Sequence, residues 1–148
     1  MNAKRPVSVL VVIHTPDLQM LLLERAAHQG FWQSVTGSQE GEESLAETAL
    51  REVHEETGVR AAPSMLHDWR LSNQYEIFPA WRHRYAPGVT RNTEHVFSLA
   101  LPEALPVAVA PDEHAAYIWL PWREAAERVF SWSNRDAIFI LAANPPCR

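Results

Sequence analysis

Apolar positions fall into two rhythms along the chain. Val7 and Val9 to Ile13 form a nearly continuous, β-branched run broken only by Ser8, the pattern of a strand buried on both faces. Met20–Glu24 reads as a second strand, reached through the turn-prone Thr15-Pro16-Asp17, and Phe31–Val35 as a third that ends at Gly37. The rhythm becomes helical over Ser44–Thr57. Leu45, Ala49 and Val53 step by four, Ser44 and Glu47 have capping-box spacing, and Gly58 supplies a left-handed stop. Further strands are expected at Leu66–Leu71, Tyr75–Phe78, His95–Leu101 and Ala116–Leu120, with a basic, turn-rich segment over Arg82–Asn92. Two helices close the chain. One has Pro121 in its first turn and runs to Phe130; the other follows Ser133-Asn134 and carries Ile138, Leu141 and Ala142. Trp32 and Trp132 read as core residues. The fold class is α/β (α+β): one domain over residues 1–148, with a mixed β-sheet sandwiched between helices.

Composition narrows this picture. With 47% apolar and 21% charged residues in 148, the chain can build a core, and intrinsic disorder is excluded. The single cysteine, Cys147, excludes an intrachain disulfide and a cysteine-built zinc site, and fits a reducing compartment. Lys4-Arg5 before the Val7–Ile13 run imitates a signal peptide. Pro6 and Ser8 interrupt the run, however, and no small-residue cleavage site follows. No apolar stretch approaches the roughly 18 residues of a membrane span, so a soluble, cytoplasmic protein without a membrane partner is expected.

The net charge of −5 is local. Residues 40–56 hold seven of the 18 acids and one of the 13 bases, leaving 11 acids against 12 bases elsewhere. No basic face for a nucleic acid is present, and the acidic spot suits a cation. Glu52, Glu55 and Glu56 share one helix face, where like charges cost about 0.2–0.5 kcal/mol per pair. Arg51, between Glu47 and Glu55, offsets part of that cost. Solvated faces usually intersperse signs; three carboxylates in the last turn, without a following base, point instead to hard oxygen ligands for Mg²⁺ or Mn²⁺.

The span Gly37-x5-Glu43-x7-Arg51-Glu52-Val53-x-Glu55-Glu56-x-Gly58-Val59 resembles the Nudix box at all nine fixed positions. That resemblance implies a Nudix fold, a loop–helix–loop metal site and hydrolysis of a diphosphate linked to another moiety. Glu52, Glu55 and Glu56 are then the expected metal ligands. Arg51 orients the glutamates, Glu43 buttresses the loop, and Gly37 and Gly58 act through the backbone alone. Outside the box, the chain resembles a bacterial Nudix subgroup that converts dihydroneopterin triphosphate to the monophosphate and pyrophosphate in folate biosynthesis. The matching segments are Lys4 to Ser8, Phe31 to Ser38, Arg82 to Glu94, Glu113-His114 with Tyr117, Trp119 and Leu120, and Ser131 to Arg135.

Carried over by position, this resemblance implies metal contacts at Glu52, Glu56 and Glu113, with Glu113 completing the site or serving as general base. It implies substrate contacts at Lys4, Arg25, Thr36, Tyr75, Glu76, Ile77, Phe78 and Ser131. Lys4 and Arg25 suit phosphate oxygens. Tyr75 or Phe78 offers a stacking face, and Glu76 or backbone amides an edge reader. Arg82–Asn92 is expected to form a structured loop over the phosphates. Ala26 stands where related chains have a second base, leaving Arg25 the only base there. Glu55, Glu56, Glu113 and Arg51 are the catalytic candidates, Mg²⁺ the cofactor with Mn²⁺ as substitute, and a small-molecule pterin or nucleoside triphosphate the partner. The rival readings are a hydrolase of (oxidised) nucleoside triphosphates and a non-catalytic Nudix-fold sensor. The sequence leaves the oligomeric state open.

Overall fold

The computed structural model describes residues 3–145. Cys147 and all but Pro145 of the C-terminal Pro145-Pro146-Cys147-Arg148 segment lie outside them. Strand β1 (Val7–His14) pairs in parallel with β6 (Arg91–Ala100), and β6 pairs antiparallel with β5 (Leu66–Glu76). On its other side β1 pairs antiparallel with β4 (Val35–Ser38), while β2 (Gln19–Arg25) diverges from it to hold β3 (Trp32–Gln33) and β7 (His114–Pro121). The sheet is mixed, with seven strands among the described residues.

Both faces are covered. Val9, Val11, Ile13, Leu21, Leu23, Val35, Phe97 and Leu99 pack against Ala49 and Val53 of α1 (Leu45–Thr57). Leu10, Val12, Met20, Leu22 and Val96 pack against α2 (Trp122–Arg128) and α3 (Trp132–Ala143) through Ala125, Ala126, Ala137, Ile138 and Leu141. Each Val, Leu, Ile, Met or Phe side chain among these contributes roughly 1.5–3 kcal/mol on burial. This two-sided burial explains why β1 is continuously apolar. Ser44 accepts from the Glu47 amide while the Glu47 carboxylate accepts from the Ser44 amide, and Gly58 closes α1 at φ 78°. Among the described residues, no helix is long and apolar enough to cross a membrane.

Several expected boundaries move. Leu66–Leu71 and Tyr75–Phe78 are not two strands, because β5 runs unbroken to Glu76 through an irregularity between Asp68 and Ser72. There Arg70 takes φ 54° and its amide donates to Asp68 Oδ1 at 2.8 Å. Phe78 instead precedes a 3₁₀ segment, Pro79–Arg84. Phe31–Val35 divides into β3 and β4 at Ser34, whose amide donates to Asn134 Oδ1 (2.8 Å) and whose Oγ accepts from Asn134 Nδ2 (3.0 Å). With Asn134 so engaged, Ser131 caps α3, which starts at Trp132 rather than after Asn134. Trp132 is 46% exposed and is not core; Trp32 does pack on the second cluster. Strand β6 begins at Arg91, four residues before the expected His95, because its first inward residues are polar.

Candidate active site

The carboxylates of α1 face the end of β4. Gly37 lies under them, and a Cβ there would sit 2.0 Å from Glu52 Cδ. Its role is therefore steric clearance for the Glu52 carboxylate. Arg51 ties the loop and helix together. Its Nε donates to Glu43 Oε2 (3.0 Å), Nη2 to Glu43 Oε1 (2.8 Å) and to the Ser38 carbonyl (2.9 Å), and Nη1 to Glu52 (2.8 Å) and Glu55 (3.0 Å). Glu43 also accepts from the Glu40 amide and the Thr48 hydroxyl. These bonds, the Arg51 fork foremost, hold the Glu43 carboxyl down to about 2. Glu47 does not share Arg51 with Glu55, since the cap at Ser44 takes it.

Glu56 is buried, and burial together with its neighbour Glu52 pushes its carboxyl well above the ordinary range. Burial also raises Glu52. Glu113 reaches this cluster through the β2–β7 ladder. The Ala26 amide donates to the Glu113 carbonyl at 2.9 Å, and a bulge makes Glu24 face Ala116 but Arg25 face His114. A bulge of this kind switches the strand's side-chain parity. It turns His114, 4% exposed, toward α1, with Nε2 3.6 Å from Glu56 Oε1. Burial and the Arg25 charge lower His114 to about 4, so its ring is neutral at pH 7 and the approach is not an ion pair.

Glu56, Glu113 and His114 each offer a ligand atom, all within 4.8 Å of one another. Glu56 Oε1 has no hydrogen-bond partner among the described residues. A buried carboxylate oxygen without a donor, beside two more carboxylates, fits a divalent cation with hard oxygen ligands. Glu52 is a direct neighbour of Glu56 and lines the same cavity. Glu55 is more exposed and turned to Arg51.

Two cavities share a wall. One, of about 910 Å³, contains Glu52, Glu55, Glu56, Glu113 and His114; the other, of about 460 Å³, contains Tyr75, Glu76, Ile77, Phe78 and Ser131. Lys4, Arg25, Thr36 and Arg84 line both. Burial first, then Arg84, lowers the Lys4 ammonium, while Glu52 and Glu113 pull it back. Arg25 lies over the Trp81 ring at 4.5 Å and donates to Gln33 Oε1 at 3.2 Å. The position vacated by Ala26 does not leave Arg25 alone, since Arg84 supplies a second guanidinium from the 3₁₀ segment.

Within the second cavity the expected roles are redistributed. Phe78 and Trp81 lie 4.8 Å apart with Phe130 beside them, forming the aromatic wall. Tyr75 instead offers its hydroxyl, which accepts from Asn92 Nδ2 at 3.0 Å. The Ile77 amide is no edge reader because it donates to the Thr90 carbonyl at 2.8 Å. Glu76 is largely exposed and reaches Arg82 at 3.9 Å. Ser131 accepts from the Asn134 amide. Of Arg82–Asn92, only Arg84, Tyr85 and Asn92 face the cleft.

Sequence reading placed Arg84 and Asn92 only within the expected phosphate loop and did not single out His114, Gln33, Trp81 or Glu94 as cleft residues. His114 adjoins Glu113, and Arg84 lies in the basic segment, so both had a local signal. Asn92 and Glu94 had only their alternation ahead of an apolar strand.

Residues 4–140 match the NUDIX domain. The chain is 49% identical over 145 residues to dihydroneopterin triphosphate diphosphatase of Escherichia coli K12, covering 95% of each chain. It is 39% identical over 142 residues to the Haemophilus influenzae protein of that name, covering 93% of this chain and 88% of the relative. The solved E. coli dihydroneopterin triphosphate pyrophosphohydrolase superimposes with a TM-score of 0.90 at 46% identity, over 97% of this chain and 99% of that one. Similarity running end to end at this level, around a helix whose carboxylates suit a divalent cation, means that the chain belongs to the Nudix hydrolase family.

Proposed function

We propose that this Nudix hydrolase is a Mg²⁺-dependent pyrophosphohydrolase that converts 7,8-dihydroneopterin triphosphate to the monophosphate and pyrophosphate, with Mn²⁺ as a working substitute. One observation carries the reading. A carboxylate lobe and an aromatic lobe meet at a shared cationic wall of Lys4, Arg25 and Arg84, a layout matched to a flat ring joined to a triphosphate. The similarity to relatives named for that substrate supports the same choice.

Glu52, Glu56 and Glu113 would hold the ion, with Glu55 at the outer rim and His114 as a neutral neighbour. The chemistry such an ion supplies when bound is activation of water and neutralisation of the leaving pyrophosphate. Arg51 fixes Glu52 and Glu55 against motion. Lys4 and the two guanidiniums orient phosphate oxygens, Arg25 being braced by Trp81 and Gln33. Glu113 is exposed at the mouth and accessible to water, which suits it to take the proton from the attacking water. Thr36 lines both lobes and Ser131 the aromatic one. Phe78 provides the stacking face, with Tyr75, Glu76 and Ile77 lining the same lobe.

The deciding experiment compares kcat/KM for dihydroneopterin triphosphate with dGTP, dATP and their 8-oxo forms in Mg²⁺. Preference for the pterin by tenfold or more is expected, and a nucleotide winning by that factor replaces this reading. Glu56→Gln should lose Mg²⁺-dependent turnover with an unchanged circular dichroism spectrum. Turnover at the wild-type rate in EDTA removes the metal from the reaction.

A further inference from the structure

Two buried polar residues of strand β6 lie in the cleft and are not used by the phosphate chemistry. Asn92 is 2% exposed and Glu94 4% exposed, and both line the aromatic lobe. Two residues apart on a strand, they face the same side. Asn92 is oriented from below, since its Nδ2 donates to Ser8 Oγ at 2.8 Å and to the Tyr75 hydroxyl at 3.0 Å. Its Oδ1 has no partner among the described residues, nor has Glu94 Oε1. Ser133 alone offsets the burial of the Glu94 carboxyl through a hydrogen bond.

A buried acceptor left unpaired costs roughly 1–3 kcal/mol, more when it is charged. Two such oxygens, buried on residues that line one cavity, offer a pair of acceptors to whatever the cavity holds. Their complement is a ligand edge carrying adjacent N–H donors. An edge that alternates donor and acceptor, as adenine presents, leaves one of them unmatched.

We propose that Glu94, assisted by Asn92, determines ring specificity by accepting the ring N–H and the 2-amino group of a 2-amino-4-oxo heterocycle held in the aromatic lobe. Pterin and guanine share this edge, so the inference deepens the proposed function and rests on it. Glu94 Oε1 accepts one of these donors in a charge-assisted bond and Asn92 Oδ1 accepts the other, which confines the ring to one orientation. The phosphate-binding wall then reads the other end of the same molecule.

The test measures kcat/KM for dihydroneopterin triphosphate, dGTP and dITP with the full chain in Mg²⁺, for wild type and for Glu94→Gln. Guanine and hypoxanthine differ only in the 2-amino group. Wild type should favour dGTP over dITP at least tenfold. In Glu94→Gln, whose amide presents a donor to a donor edge, that ratio should fall to within threefold. The preference for dihydroneopterin triphosphate over dITP should fall at least tenfold. Glu94→Asp should recover part of both ratios, which a merely structural role does not predict. Equal loss on all three substrates, or an unchanged ratio, overturns the inference. So does a wild type indifferent to the 2-amino group, a result independent of how the variants fold. A wild type that discriminates dGTP from dITP yet ignores the pterin refutes the proposed function and leaves the role of Glu94 standing.

Discussion

Gly37→Ala is a one-methyl perturbation with a calculable consequence. The added Cβ would lie 2.0 Å from Glu52 Cδ and 2.3 Å from Cγ and Oε1, where ordinary contact begins at 3.4 Å. Something must retreat by about 1.4 Å. The strand resists, because the register Ser8↔Ser38, Val9↔Gly37 and Leu10↔Thr36 fixes β4 against the core strand β1. The Glu52 side chain is therefore the group that moves, losing its 2.8 Å bond from Arg51. Misplacing a catalytic or metal-holding group by about 1 Å costs on the order of 10²-fold. Gly37→Ala should accordingly lower kcat about 100-fold and raise the Mg²⁺ concentration needed for half-maximal rate. Its thermal midpoint should fall by only a few degrees, the lost Arg51–Glu52 bond being worth about 1 kcal/mol on a partly exposed pair. The assay is an Mg²⁺ titration of pyrophosphate release, paired with Glu52→Gln and the double variant. Both singles remove the same group, so the double variant should be no worse than either. Wild-type kcat and Mg²⁺ dependence in Gly37→Ala, or fully additive losses in the pair, would refute the clearance argument.

Three further outcomes follow from named contacts. The Glu94 carboxyl, raised to about 7 by burial from an ordinary 4.5, retains its full stability contribution below pH 4.5 and loses it as pH rises through 7. Glu94→Gln should therefore gain up to roughly 3 kcal/mol over wild type at pH 8 in the absence of ligand and nothing at pH 4, read by urea melts. Glu43 is the opposite case. Held to about 2 by Arg51, it contributes stability above pH 4.5 that is lost as pH falls toward 2; Glu43→Gln should cost about 1–2 kcal/mol at pH 7, after allowance for solvent screening, with the deficit closing in acid. Asn134→Ala strips two bonds from buried Ser34 and should cost about 2–3 kcal/mol in the same melts while leaving the α1 carboxylates in place.

The local elements were written in the sequence because their causes are local. Capping at Ser44 and Glu47, the stop at Gly58 and the step from Leu45 to Val53 specify α1 without reference to any other segment. The same helix carries Glu52, Glu55 and Glu56, so the carboxylate face that we propose holds a cation was legible from spacing alone. The apolar run of β1 likewise announced a strand covered on both sides.

Long-range register decided the rest. A bulge opposite Arg25 turns His114 toward Glu56, and parity on a strand cannot be read where one residue is inserted. Parallel pairing of β1 with β6 brings Ser8 beside Glu94, and the hydrophobic rhythm that marks strands disappears where a strand turns polar residues into a cavity. That is why the start of β6 was misplaced, and why the buried acid that we assign to ring recognition had no signal of its own. The sequence determined which groups could grip a cation and a phosphate. Only the tertiary structure decided which polar atoms would be buried without partners, because burial is a property of what packs around a residue and not of the residue itself.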